Sequence, residues 1–369
     1  VSVVIATHGD GRCLPELLGD LLRLDPPPRQ IIVVADKPTP RLLARLPRSP
    51  RVELVVRGER LGKVSALNHA IGLADGEAIL FLDDDVRVAD RALIARVAEA
   101  LKTSDIADIG KLVEGEGLLA GLVYVEYLGL NLASMILARI AQRSPAVNGA
   151  AFAATRSLVE RLGGFRPVLY EDLDFATRAF LQGARYSYVH TSRVTNMPPR
   201  TWREWLRQRR RWSIGAALWL REYLRPLLAA IRDMPHAAAA ALVVALPSLV
   251  STAVVFLYEA TPANKLAYLV LLLASSMLSQ LLPVASLLSV NLHLALAARL
   301  MVLLAMLAAL SAPYAAAARL LGVKARAALY PIYLLVYQPL WFTVLLGGMV
   351  RVYLLGREEA EDWVVPREG

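Results

Sequence analysis

Residues 78–88 read AILFLDDDVRV, and four apolar residues, Ile79 to Leu82, run straight into Asp83, Asp84 and Asp85. A short apolar run bounded by turn-forming residues is how a strand covered on both faces of a sheet reads. Three carboxylates at its end repel one another and raise each other's pKa unless a cation stands among them, so the cluster predicts a divalent metal. Magnesium or manganese held by one or two carboxylates completes its shell with water and phosphate oxygens, which points to a phosphate-bearing ligand at this strand's end. Taken alone, the three residues are equally well read as an acidic turn facing solvent.

The neighbouring sequence extends the pattern. Residues 1–6, 31–35 and 52–57 read as further strands, alternating with helical patterns at 14–24 and 63–73. That rhythm predicts an α/β fold with a mostly parallel sheet, whose ligands bind at the carboxyl ends of the strands. The first two strands end in polar residues, at 7–10 and at Asp36, so they share a rim with the aspartates.

Composition divides the chain near residue 225. With 56% hydrophobic residues and a mean hydropathy of +0.45, the 369-residue chain is too apolar to be soluble throughout. The formal charge is +9, but many basic residues crowd into 200–225, immediately before the apolar half. That placement fits a membrane surface or an anionic substrate better than nucleic acid. Cys13, the one cysteine, permits no internal disulfide. Val1 already reads as strand, so no leader peptide is expected; the missing Met leaves open whether residues precede it. Uncharged stretches predict four spans near 237–258, 266–289, 293–318 and 327–350, with a turn near Asn291 and a cytosolic tail. Arg299 then sits within or at the edge of a span, facing the bundle interior or snorkelling to the interface. The apolar stretch 118–137 cannot cross once if the residues on both sides of it build one site. It reads as a helix on the membrane surface with Glu126 on its wet side.

Four further motifs carry chemistry. GKVSALN opens a helix with Lys63, a point charge suited to a diphosphate at a helix's positive end. Residues 147–165 (VNGAAFAATRSLVERLGGF) are small where the backbone must pass close to a substrate or to packed neighbours. Glu171, Asp172 and Asp174 lie at a helix N-terminus, where one acid caps favourably and another can act as general base. Residues 201–223 hold four of the six tryptophans. They suit an interfacial helix on which Gln208, Arg211 and Trp212, at i, i+3 and i+4, share a face.

Together these motifs resemble the family 2, GT-A-fold glycosyltransferases over about residues 1–212, in particular the membrane-embedded branch with cellulose, chitin and hyaluronan synthases and ceramide glucosyltransferase. The resemblance rests on VSVVIATHGD, Asp36, GKVSALN, Asp83-x-Asp85, NGAAFAATR with GGF, Glu171-Asp172 and the Q-x-x-R-W of Gln208, Arg211 and Trp212. It implies that Thr7 and Asp36 hold the nucleoside base, Lys63 the diphosphate, and Asp83 the ribose or phosphate region. Asp85, with Asp83, would hold Mg2+ or Mn2+. Asp172 would be the catalytic base and Arg211 a diphosphate contact, while Trp212, Gln208 and Glu171 serve the acceptor.

The implied reaction is an inverting transfer from a UDP- or GDP-sugar at the plasma membrane, with the catalytic domain in the cytosol. The acceptor is a growing polysaccharide or, alternatively, a lipid; a remote alternative is an inactive membrane scaffold or transporter. Three departures stand out. Ala35-Asp36-Lys37 replaces the family's frequent Asp-Asp-Gly, no apolar run precedes the first strand, and no cellulose-synthase gating motif is visible. Residues 363–367 (WVVPR) faintly resemble the hyaluronan-synthase ending, which favours an even number of spans. The positive-inside rule objects, because Arg319, Lys324 and Arg326 then fall in an external loop.

Overall fold

The structure, a computed structural model, describes residues 1–11, 13–233 and 283–359, with the single positions 250, 270 and 273. Most of the expected spans near 237–258 and 266–289, and all of WVVPR, lie outside the described residues.

Eight strands form one mixed sheet in the order β3-β2-β1-β4-β7-β6-β8-β5. They are β1 (Ser2–His8), β2 (Gln30–Asp36), β3 (Val52–Arg57), β4 (Ala78–Asp83), β5 (Val86–Val88), β6 (Ile106–Val113), β7 (Ala151–Thr155) and β8 (Tyr186–Asn196). The expected parallel half is there: β1 pairs in parallel with β2 and β4, and β2 with β3. The register sets His8 opposite Asp36 and Ala6 opposite Asp83, so these polar ends share one rim. β7 then enters antiparallel between β4 and β6.

Because side chains alternate across a strand, each apolar run feeds two cores. Val3, Ile5, Ile31, Val33, Leu80 and Leu82 pack with α1 (Leu14–Leu22) and α4 (Leu93–Ala100). Val4, Ile32, Val34, Ile79 and Phe81 pack on the other face with α3 (Lys63–Leu73), α6 (Arg156–Leu162) and α7 (Glu171–Leu181). The short helix α2 (Pro40–Arg45) starts on a Thr39 side-chain cap. Coverage on both faces explains why these strands read as unbroken apolar runs instead of alternating ones.

Four longer helices follow among the described residues: α5 (Gly117–Ile140), α8 (Trp202–Asp233), α9 (Pro283–Leu320) and α10. The last is the helical segment Ala327–Tyr353, which includes a π-helical stretch at Tyr333–Tyr337. Among the described residues, three stretches are long and apolar enough to cross a membrane: Gly117–Ile140, Leu300–Leu320 and Ala327–Tyr353.

Three expectations are corrected here. Glu126 does not face water: it is 7% exposed and its carboxylate pairs with Arg209, because α5 is wedged between the sheet and the C-terminal helices. A carboxylate in that setting requires a cation. Next, α9 runs through Asn291 without the expected turn. Finally, the basic segment 319–326 rests on the α/β unit: Tyr124 donates to the Lys324 carbonyl, Arg193 to that of Leu321, and Arg326 lies over the Tyr124 ring. These contacts set it beside the α/β unit, not in a loop apart from it as the four-span count expected.

Candidate active site

The rim is built from the ends of β1, β2 and β4, the start of α3, the loop before β7 and the N-terminus of α7. Lys63, the first residue of α3, places its ammonium 2.8 Å from Asp83 and 3.1 Å from Glu171. Burial opposes this charge, but Asp83, Glu171 and Asp172 outweigh it and raise the Lys63 pKa. Burial pushes the Glu171 carboxyl up, Lys63 holds it back, and Asp172 adds to the rise.

Asp172 is presented to the same pocket. Its Oδ2 accepts the Gly149 N–H at 3.0 Å, and its Oδ1 accepts that of Leu173 at 2.8 Å. A Cβ on Gly149 would come within 2.7 Å of that Oδ2, so the small residue there leaves room for the carboxylate. The pocket is lined by Lys63, Asp83, Gly149, Glu171 and Asp172, with Phe81, Phe152 and Phe165 beneath. Phe165 is held by Asn68, whose side chain donates to its carbonyl at 2.8 Å and accepts its N–H at 2.9 Å. The GKVSALN and GGF motifs thus meet through one amide, a link not read from the sequence.

Asp36 is 2% exposed. Its Oδ2 accepts the N–H groups of Leu61 (3.0 Å) and Gly62 (2.8 Å), which fixes the approach to Lys63. Among the described residues its Oδ1 has no hydrogen-bond partner, and the Arg57 guanidinium stands 3.6 Å away. A buried acceptor left open at a ligand rim is suited to an incoming N–H. Thr7 stands on the same rim, where its hydroxyl donates to Asp84 Oδ2 at 2.5 Å.

The three aspartates do not gather into a cage. Asp83 meets Lys63, Asp84 meets Thr7, and the Asp85 carbonyl accepts the Met197 N–H. Among the described residues, no three acid, His or Cys side chains converge on a point. The hard oxygen donors at Asp83 and Asp85 fit Mg2+ or Mn2+ completed by phosphate oxygens and water, as such ions are commonly bound.

Gln208, Arg211 and Trp212 lie half-buried on α8. One turn later, α8 passes beside the residues that precede the acid pair, since a Cβ on Gly215 would touch Tyr170 and Leu169. From there α8 is fastened to α7 and the loop before it: Trp219 donates to the Thr177 hydroxyl, Tyr223 to Asp174, and Arg166 and Tyr170 of that loop both donate to Glu222. Asp174, fully buried, also takes Arg178. It is therefore a fastening residue, and the acids that open α7 divide into two facing the pocket and one facing its support.

Two residues went unnoticed in the sequence, Arg209 and Tyr337. The signal lay in Glu126, a lone acid in an apolar run that needs a buried partner.

Several known proteins are similar to this chain. A mannosyltransferase from Pyrobaculum calidifontis, PcManGT, in complex with GDP-Man and Mn2+, is 21% identical, with a TM-score of 0.48 over 81% of this chain and 86% of that one. S. aureus TarS 1-349 in complex with UDP-GlcNAc is 17% identical, with a TM-score of 0.41 over 59% of this chain and 66% of that one. A probable glycosyltransferase, YdaM of Bacillus subtilis (strain 168), is 26% identical over 173 residues, 42% of this chain; the match spans 38% of that relative's length. Residues 1–215, more than half of the 369, match the model described as "Glycosyltransferase like family 2". The chain belongs to the family 2 glycosyltransferases.

Proposed function

We propose that this enzyme catalyses a single inverting displacement at a membrane, with Asp172 as general base. The observation that carries the reading is the convergence of Asp172, Lys63, Asp83 and Glu171 on one pocket at the carboxyl end of β4. The donor base meets Asp36 Oδ1, with Thr7 beside Asp84 shaping that edge, and the diphosphate lies along Lys63 and Arg211. Asp172 takes the proton of the acceptor hydroxyl, whose oxygen attacks the anomeric carbon as nucleoside diphosphate leaves. Its two backbone N–H partners keep the carboxylate aimed while it is ionised. Lys63 and Arg211 stabilise the negative charge that grows on the leaving group. A divalent cation held by Asp85 and Asp83 would neutralise part of the same charge.

The acceptor is a growing polysaccharide, with its terminal sugar over Trp212. A second reading, transfer of one sugar to a lipid acceptor, is favoured by the way α10 lies along α8. Tyr337 accepts from Trp205, the Tyr353 hydroxyl donates to the Ala217 carbonyl, and Glu358 pairs with Arg221, so α10 follows α8 over its length. A helix held this way is poorly placed to wall a polymer channel.

The test incubates the protein in nanodiscs with a panel of UDP- and GDP-sugars and Mg2+ or Mn2+, with and without polyprenyl phosphate. Lipid-independent release of nucleoside diphosphate with a high-mass, glycosidase-sensitive product supports the polymer. Lipid-dependent release that stops after one sugar supports the second reading. Asp172→Asn lowers turnover by about 10²–10⁴-fold if it is the base; turnover unchanged in that variant defeats the mechanism.

A further inference from the structure

Arg209 belongs to none of the assigned roles, yet it is 1% exposed. Its guanidinium donates to Glu126 of α5 and, at 3.1 Å, to the Tyr337 hydroxyl of α10. That hydroxyl donates to Glu126 at 2.8 Å and accepts the Trp205 Nε1–H at the same distance. Three helices therefore meet at one charge. The same guanidinium stands 4.2 Å from the ring centroid of Trp212, 5.1 Å from that of Trp341 and 5.8 Å from that of Trp205. Its Nε finds no hydrogen-bond acceptor among the described residues, so that edge of the group is stabilised by the surrounding rings. The next residue of α5, Tyr127, hydrogen-bonds to Asn148, whose neighbour Gly149 holds Asp172.

We infer that Arg209 is the positioning residue of the acceptor platform: pinned by Glu126 and Tyr337, it backs one face of the Trp212 indole and sets where the other face is offered. The inference rests on the reading of Trp212 as the acceptor platform. A planar guanidinium is required for this, because an ammonium keeps the charge but cannot lie flat against a ring. The C-terminal helix thereby acts on the acceptor side without touching substrate, and the donor side, organised by Asp36, Lys63 and Asp83, is left alone.

The experiment compares the wild type with Arg209→Lys, Tyr337→Phe, Trp212→Phe and the double variant Arg209→Lys/Trp212→Phe in nanodiscs. The acceptor probes are polyprenyl phosphate and a tetrasaccharide of the transferred sugar, each titrated at saturating donor. Arg209→Lys is expected to raise the acceptor KM at least tenfold and to leave the donor KM within twofold. Tyr337→Phe, the milder change, is expected to shift it in the same direction. In the double variant the two effects should fail to add, as they do for residues acting through one contact. Additive effects, or donor and acceptor KM moving together, overturn the inference while leaving the transferase reading intact. A wild type that turns over no donor overturns that reading itself.

Discussion

Gly149 and Asp20 show how single residues here are tied to either chemistry or stability. A methyl group at Gly149 would sit 2.7 Å from the carboxylate of Asp172. Gly149→Ala should therefore abolish most turnover while the thermal midpoint moves little, as parallel activity and melting measurements would show. A midpoint that falls with the activity would mean the glycine serves packing. Asp20 lies away from the pocket and binds Arg87, Arg23 and the Val88 N–H. Burial pushes its carboxyl up, but these partners outweigh burial and hold it below the usual carboxylate range. A lowered folded-state pKa contributes stability that is present above the unfolded value and is lost as pH falls through the folded one. Melting midpoints should thus decline below about pH 4, and Asp20→Asn should flatten that decline. The acids of the candidate site stood out in the sequence because clustered carboxylates demand an explanation. The partners of Lys63 were not, because nothing in GKVSALN says that two carboxylates will reach its ammonium before a diphosphate does.

At the scale of elements, α8 and α10 approach closely enough to need a glycine. A Cβ on Gly348 would lie 2.6 Å from the Ser213 Cβ and 2.7 Å from the Ser213 carbonyl carbon. Gly348→Ala should cost about 1–3 kcal/mol, read as an earlier denaturation midpoint. Ser213→Gly in the same chain should restore only part of it, because the backbone carbon remains. Full restoration would mean that the side chain alone sets the spacing. Strand and helix identities were legible here: β3 and α3 fall on their expected bounds, and β1, β2 and β4 within two residues of theirs. The burial of α5 was not, since hydropathy registers how apolar a helix is and not what covers it. A buried core helix and an interfacial one read alike until Glu126 is seen to meet Arg209.

For the whole molecule, the position of α10 can be tested directly. With Cys13→Ser as background, single cysteines at Lys324, Arg357 and, as a reference on the α/β unit, Arg48 should react with a membrane-impermeant maleimide in vesicles of one and the same orientation. Labelling of Arg357→Cys from the opposite face would contradict the contacts of Tyr353 and Glu358 with α8. The α/β half of the molecule was legible from its strand rhythm and rim acids; the arrangement of the apolar half was not, because side-by-side packing of α8 and α10 depends on contacts between residues more than a hundred positions apart. That packing also couples the two halves mechanically. α10 and the residues after it are joined to α8 at Trp205, Ala217 and Arg221, and the segment before α10 is joined to β8 through the Leu321 carbonyl. α10 therefore cannot shift without loading the helix that carries Gln208, Arg211 and Trp212.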